Sequence, residues 1–286
     1  MGQNDQPVTV LDFLRVSAPF LESKGIENPR LNAEWLLAHV LKTDRLSLYL
    51  RFDYPLSPAE TDRFRELLRR RAKREPVQYL TGEVPFLNLT IHVEPGVLIP
   101  RPETEELADR IIRFHRNFPP AQVLDIGTGS GILAISLASA FPDSTITAVD
   151  RSPDALRIAR QNAGLAGVDS RIRFLELDFL TTPIPGTFDL IVSNPPYIPS
   201  EECNTLEPEV SQWEPRLALD GGPDGLVFYR KISECLPALL NKPGQLWLEG
   251  HRDLMDAVSS CFADQLSDSE IISDLSGSPR FFRGAW

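Results

Sequence analysis

Asn194-Pro195-Pro196-Tyr197 is the stretch of this chain whose residue types could do chemistry. An amide side-chain oxygen beside a proline carbonyl offers two acceptors. They are held stiffly because proline fixes φ and has no backbone N–H. Such a pair suits a planar –NH2 group, which presents two hydrogens, and the aromatic ring that follows could cover a flat substrate. Taken alone, the four residues could equally form an ordinary turn rich in Asn and Pro. Their setting argues for more. Leu190-Ile191-Val192 is a short apolar run with β-branched residues and reads as a buried strand. The motif therefore falls at the carboxyl end of a strand, where open α/β sheets bind ligands.

Three more strand ends carry polar residues of the same kind. Gln122-Val123-Leu124-Asp125-Ile126 reads as a buried strand, followed by Gly127-Thr128-Gly129-Ser130-Gly131 and a helix that begins near Ile132. In a strand–glycine loop–helix unit the glycines let a ligand approach the backbone, and the first helical N–H groups point at it. Ser144 to Val149 forms the next strand and ends at Asp150, a carboxylate able to accept both hydroxyls of a ribose. A helix from about Ala155 to Ala163 leads to a strand over Ile172 to Leu175. Asp178 and Phe179 follow, placed to hold an adenine by a hydrogen bond and a ring contact, or else a turn residue and a core ring. The glycines fall as GxGxG, with Ile132 where a dinucleotide fingerprint would carry its last glycine, and no Gly-Lys-Ser/Thr of a P-loop is present. GxGxG followed by an acid after the second strand is the pattern of S-adenosylmethionine-binding domains.

The rest of the chain must position these ends. Residues from about 8 to 76 read as helical, with Ser57-Pro58-Ala59-Glu60 a capping box and Phe64, Leu67 and Leu68 an apolar side. Arg63, Arg65, Arg69, Arg70, Arg71, Lys73 and Arg74 read as the solvated face of that helix, with a basic patch for RNA or an acidic partner as the lesser alternative. Phe86 to Val93 alternates as a hairpin. The Gly96 to Thr104 stretch, stiffened by Pro100 and Pro102, is a rigid linker or a lid whose polar contacts would be Arg101 and Glu103. After Tyr197 come a Glu- and Pro-rich loop, the tight turn Gly221-Gly222-Pro223-Asp224-Gly225, a helix entered at Phe228, a strand over Gln245 to Glu249, a helix near Leu254 to Phe262 and two final strands.

Composition narrows the classes. A 286-residue chain with 42% hydrophobic residues can bury one large or two medium cores. Its net charge of −11 argues against general affinity for nucleic-acid backbones. Cys203, Cys235 and Cys261 are odd in number and widely spaced, which suggests reduced thiols in the cytoplasm. His39, His92, His115 and His251 show no metal-ligand spacing, and no metal is expected. Met1 to Gln6 is polar and lacks the apolar core of a signal peptide, and no run is long enough to span a bilayer.

On Glu75-Pro76-Val77-Gln78-Tyr79-Leu80-Thr81-Gly82, Pro95 through Glu105, Leu124 through Gly131, Asn194 through Tyr197, and Glu214 through Leu219 with Gly221 through Leu226, the chain resembles the PrmC/HemK family of protein-(glutamine-N5) methyltransferases. Asn-Pro-Pro-Tyr by itself is shared with DNA and RNA amino-methyltransferases; Ile99-Pro100-Arg101-Pro102-Glu103-Thr104 is far more specific. The resemblance implies an α/β fold: a seven-stranded Rossmann-like class I methyltransferase domain, preceded by a small helical bundle and a linking β-hairpin. The boundaries expected are 1–80 for the helical substrate-binding domain, 81–102 for the hairpin linker and 103–286 for the methyltransferase domain. It implies S-adenosylmethionine as cofactor, S-adenosylhomocysteine as product, and the Gly-Gly-Gln glutamine of class I peptide chain release factors as substrate. A monomer with no stable nucleic-acid or membrane partner is expected. Asn194, Pro195, Pro196 and Tyr197 would be catalytic and, with Arg101 and Glu103, contact substrate. Gly127, Thr128, Gly129, Ser130, Gly131, Asp150, Asp178, Phe179 and Asn194 would bind cofactor. Where some relatives carry Trp after the third-strand Asp, this chain has Phe179. The alternative is methylation of an exocyclic amine on a DNA or rRNA base. A dead methyltransferase fold serving only as an interaction module is disfavoured by the intact motifs.

Overall fold

The computed structural model describes residues 8–286, so Met1 to Gln6, where no signal peptide is expected, lie outside the described residues. The chain forms two compact units that divide between Glu83 and Val84.

The first unit is helical: α1 (Val10–Glu22), α2 (Pro29–Leu41), α3 (Pro58–Arg71) and the short α4 (Val77–Thr81). Phe13, Leu14 and Leu21 from α1, Leu36 and Leu37 from α2, and Phe64 and Leu67 from α3 share one buried cluster. Phe13 and Phe64 meet edge to face at 5.5 Å. The capping box read from Ser57 and Glu60 is present, with Ser57 N donating to Glu60 Oε2 at 2.7 Å and Glu60 N donating to Ser57 Oγ at 3.3 Å. A second box, Thr9 with Asp12, opens α1. The arginine run is less of a solvated face than its composition suggests. Arg71 is buried, with Nε donating to Asn32 Oδ1 at 2.7 Å, and Arg70 makes a forked pair with the buried Glu75. Arg63 pairs with Glu66, and Arg74 donates to the Gly25 carbonyl. With Arg65 standing 4.0 Å from Asp62, five of the seven cations thus have partners within the unit, which leaves little of a basic stripe.

The second unit is organised by a sheet. Strands β1 (Glu83–Phe86) and β2 (Leu89–His92) form a hairpin ahead of it, and α5 (Pro102–Phe114) follows. Then come β3 (Gln122–Ile126), α6 (Ile132–Ala140), β4 (Thr145–Asp150), α7 (Pro153–Leu165), β5 (Ile172–Glu176) and β6 (Phe188–Ser193). The short α8 (Pro208–Ser211), α9 (Val227–Leu239), β7 (Leu240–Glu249), α10 (Met255–Ser260), β8 (Asp268–Ser273) and β9 (Pro279–Ala285) complete it. The seven-stranded order is β5-β4-β3-β6-β7-β9-β8. Pairings from β5 through β7 are parallel, and β9 alone runs against its neighbours. Val123 to Ile126 and Leu190 to Ser193 are buried at every position, as central parallel strands covered on both faces require. The chain winds outward from β3 to β5 and returns to β6 on the other side of β3. That reversal makes a crevice at the carboxyl ends of β3 and β6, and both the glycine loop and Asn194 emerge there.

The two faces of α3 give a direct test. Phe64→Ala empties a packed site and is expected to cost about 3–5 kcal/mol, whereas Arg65→Ala on the open face should change stability by less than about 0.5 kcal/mol. Urea unfolding of the full chain measures both. Equal losses would mean that the helix is not packed as described.

Candidate active site

The glycine loop is built to leave room. Gly127, Gly129 and Gly131 all have positive φ, at 74°, 55° and 84°. A Cβ at Gly131 would lie 3.0 Å from both Ala159 Cβ and Ile135 Cδ1, so that glycine lets α6 and α7 pack. A Cβ at Gly127 or Gly129 would meet nothing within 4 Å, so those two face open space in the cleft. The loop is tied down from behind. Gly127 N and Thr128 N both donate to the Val149 carbonyl, at 2.9 and 3.0 Å. Asn162 on α7 donates to Ser130 O at 2.9 Å while also bonding both the N–H and the carbonyl of His92. One buried side chain thereby couples the hairpin to the loop, a role that nothing local in the sequence reveals.

Two carboxylates frame this half of the cleft. Asp150 accepts from Gly129 N and Ser152 N, each at 2.9 Å, and lines the cleft; burial raises its pKa. Asp125 lies beneath the loop, fully buried. Its Oδ2 accepts from Thr128 Oγ1 at 2.6 Å and from Ala134 N at 3.2 Å, so it also caps α6. Its Oδ1 is buried without a partner, and burial pushes its pKa up to about 7. Farther along, Asp178 accepts from Leu180 N and stands 3.6 Å from Arg151. Phe179 is 6% exposed: its ring belongs to the core cluster and also lines the cleft.

Asn194, Pro195 and Pro196 line one open cleft together with the glycine loop, Asp150, Asp178 and Phe179. The two-proline turn is gripped from three directions. Ser193 Oγ donates to Ile126 O at 2.6 Å, locking the ends of β6 and β3 together. Beyond the turn, Ile198 N donates to Leu219 O and Gly221 N to Ile198 O. A Cβ at Gly221 would fall 2.8 Å from Pro196 O and from Tyr197 Cα, and one at Gly225 would fall 2.5 Å from Tyr197 O. The Gly-Gly-Pro-Asp-Gly turn is therefore a backbone clamp on the motif. The third grip is on the side chain: Asn194 Nδ2 donates to Thr104 Oγ1 at 2.9 Å, and Thr104 Oγ1 donates to Glu249 Oε2 at 2.7 Å. Thr104, Leu107, Ala108 and Ile111 form the buried stripe of α5, and Ser193 sits in register with Leu248, so Thr104 and Glu249 reach Asn194 from a helix and from the neighbouring strand end.

Not every expected contact faces the cleft. Arg101 donates to the buried Glu214 at 2.6 Å, and Ile99 N reaches the same carboxylate at 3.4 Å. Arg101 thus ties the proline-rich segment to the loop before Pro215, while Pro100, Thr104 and Pro215 line the cleft and Arg101 and Glu103 do not. The Tyr197 ring packs against the core cluster, 6.3 Å from His251, and is likewise outside the cleft lining; burial, with Glu249 nearby, raises its hydroxyl pKa. Thr104, Glu249, Asn162, Glu214 and Phe228 were not singled out as site residues from the sequence.

A parallel sheet reversing at β3, an open glycine loop, acids on the next two strand ends and an amide-proline pair define an S-adenosylmethionine-dependent class I methyltransferase. The residues present suit that cofactor: two glycines leave room along the cleft, Asp150 lines it with a carboxylate, and Leu177 and Phe179 offer an apolar wall. Family models agree, a PrmC N-terminal domain over residues 12–82 and a methyltransferase small domain over 111–212. The chain is 42% identical over 275 residues, 93% of each chain, to the release factor glutamine methyltransferase of Chlorobaculum tepidum. It is 46% identical over 240 residues to that of Geobacter sulfurreducens, covering 84% of this chain and 82% of the relative. The chain belongs to the release factor glutamine methyltransferase family. Among solved structures, a methyltransferase from Pyrococcus furiosus shares the fold with TM-score 0.50 and 22% identity, over 70% of this chain and 89% of that one. A 16S rRNA N2 G1207 methyltransferase from T. thermophilus shares it with TM-score 0.51 and 17% identity, over 71% and 49%. Among the described residues no helix is long and apolar enough to cross a membrane, and no group of His, Cys, Asp and Glu could hold a metal ion.

Two predictions follow from this geometry. Gly225→Ala drives a methyl group into the Tyr197 carbonyl and should lower turnover at least tenfold, with S-adenosylhomocysteine affinity changed less than about threefold; unchanged turnover would mean that the clamp is dispensable. The second concerns pH. Asp125 and Glu249 both titrate near 7 in the folded chain, above their unfolded values near 4. Between those limits the folded state binds the extra protons, so these two groups lose stability for the protein as pH rises toward 7. His39 and His115, with pKa values lowered by burial, act in the opposite sense. The difference between variant and parent therefore carries the signal: Glu249→Gln should gain thermal midpoint relative to the parent on going from about pH 5.5 to about pH 8. A constant difference would refute the shifted ionisation.

Proposed function

We propose that the chain methylates the side-chain amide nitrogen of the glutamine in the Gly-Gly-Gln loop of class I peptide chain release factors, using the Asn194 end of the cleft as the amide site. The observation that carries this is the meeting of the Asn194 and Pro195 acceptors, in one cleft, with the glycine loop and Asp150. The bound cofactor supplies an electrophilic methyl group on a sulfonium. The harder partner is the amide nitrogen, whose lone pair is delocalised into its carbonyl. Asn194 Oδ1 and the Pro195 carbonyl accept the two amide hydrogens, hold the nitrogen in line with the methyl group and favour positive charge developing on it. The proton leaves through these acceptors or through water after transfer.

Gly127, Thr128, Gly129, Ser130 and Gly131 hold the methionine part, Asp150 the ribose, and Asp178 with Phe179 the adenine. Pro196 and Tyr197 stiffen and back the acceptor pair. Arg101, through its clasp on Glu214, and Glu103, at the first turn of α5, border the substrate side. The helical unit is assigned to substrate binding, with the hairpin as the connection to the catalytic unit. A monomer in the cytoplasm without a stable nucleic-acid partner completes the proposal; the net charge of −11 and three free cysteines accord with it. A nucleobase amine has the same –NH2 geometry, but the relatives are release factor enzymes and the charge opposes a nucleic-acid groove.

Incubation with S-adenosylmethionine and an unmodified class I release factor should place one methyl group on the Gly-Gly-Gln glutamine by peptide mass spectrometry. Asn194→Ala should lose at least about 100-fold in turnover while still binding S-adenosylhomocysteine, and Asp150→Ala should lose cofactor affinity first. Label found in RNA or DNA instead, or near-normal turnover by Asn194→Ala, would overturn the proposal.

A further inference from the structure

An asparagine in an amide site can present the wrong edge. A carboxamide is nearly symmetric in shape, and a flipped Asn194 would offer N–H donors to a substrate that is itself a donor. Something must fix the polarity, and the hydrogen-bond chain behind Asn194 does so. An ionised Glu249 can only accept, so the Thr104 hydroxyl must donate to it. Having spent its hydrogen there, Thr104 Oγ1 can only accept from Asn194, which places Nδ2 at the rear and leaves Oδ1 for the cleft.

We infer that Thr104 and Glu249 are positioning residues that set the polarity of the Asn194 amide, so that its oxygen rather than its nitrogen faces the substrate amide. The inference rests on the proposed acceptor role of Asn194. Burial points the same way. Glu249 is 0% exposed and its Oε1 has no hydrogen-bond partner, so a carboxylate is kept there at a cost that the packing does not explain. A glutamine would fill the same space, but its –NH2 could donate to Thr104. The threonine hydrogen would then be released to Asn194 Oδ1 and the polarity lost.

The same logic makes turnover depend on the ionisation of Glu249. Burial raises its pKa to about 7; Arg280 on β9 and Arg101 before α5 favour the charged form, and Glu103 on α5 opposes it. Tyr197 lies near enough to feel its charge, and Tyr229 on α9 donates its hydroxyl to the Glu249 carbonyl at 2.8 Å. Neutral Glu249 can donate to Thr104 as a glutamine would. Turnover through this group therefore falls as pH drops below about 7 and reaches its plateau above.

The test compares Thr104→Val, Thr104→Ser, Glu249→Gln and Asn194→Ala in the full chain, with release factor as substrate. Thr104→Val should lower kcat by roughly 100-fold, with KM for the release factor and Kd for S-adenosylhomocysteine within about threefold of the parent. Thr104→Ser should restore most of the loss. Glu249→Gln should show the low-pH rate at every pH, without the rise through about 7. Thr104→Val with parental kcat, a loss that tracks cofactor affinity or melting temperature, or a Glu249→Gln pH profile matching the parent would each overturn the inference. Should Thr104→Val not fold, the Glu249→Gln pH profile decides. Activity in Asn194→Ala would sink the acceptor role itself, whereas an inactive Asn194→Ala beside a normal Thr104→Val would remove only the polarity device.

Discussion

A turn made of two consecutive prolines has no amide hydrogens with which to hold itself in place. Pro195 and Pro196 fix their own φ angles, but only neighbours can fix where the turn sits. Much of the second unit can be understood as supplying those neighbours. The Ser193 hydroxyl ties the strand end below the turn to Ile126, the Gly221 and Gly225 backbones press on it from beyond, and Thr104 holds the one side chain that matters. Close backbone approach explains why glycine stands at 221 and 225: any Cβ would collide with carbonyl oxygen or Cα atoms that cannot swing aside. The glycines at 127 and 129 serve the opposite purpose, since a Cβ there would meet nothing and would only intrude on the ligand's space.

The grip has an energetic cost, visible in two buried carboxylates. Asp125 and Glu249 are each fully buried, each has one oxygen without a hydrogen-bond partner, and burial raises the pKa of each to about 7. An apolar residue at either place would avoid the desolvation penalty. Each acid instead orders a neighbouring hydroxyl. Asp125 receives the Thr128 hydroxyl beneath the glycine loop and caps α6; Glu249 receives the Thr104 hydroxyl behind Asn194. The two halves of the cleft thus use one device, a buried acid that accepts from a threonine whose neighbourhood meets the ligand.

How much of this was legible beforehand depends on sequence distance. The glycine loop, Asp150 and Asn194 to Pro196 are local patterns, and the strand order brings them to one cleft. The capping box at Ser57 is also local and stands where it was read, while the hairpin begins at Glu83 and the strand at Leu240, earlier than the Phe86 and Gln245 read from alternation. Thr104 is different. It belongs to a proline-rich segment that was noticed, but its partners lie 90 and 145 residues away, and no local pattern states that they meet. Glu214 lies 113 residues from Arg101, and the latter reads as a free cation over the site until the fold shows it paired. Arg71 reads as solvated for the same reason: its periodicity in α3 is ambiguous, and the deciding contact is Asn32, 39 residues earlier.

Tyr197 shows where a local pattern invites the wrong picture of geometry. An aromatic ring after two prolines suggests a cover over the substrate, yet the ring joins the core cluster and sits beside His251, outside the cleft lining. Proline stiffness propagates: with φ fixed at 195 and 196, the direction of the next side chain is set by how the turn is clamped. The clamp directs Tyr197 inward, and the carbonyl of that residue is the one against which Gly225 packs. The tyrosine therefore anchors the turn from the inside while Gly225 presses on it from the outside. Asn194 and Pro195 are then held by a half-buried ring on one side and a bare backbone on the other, which keeps the proposed acceptor pair rigid.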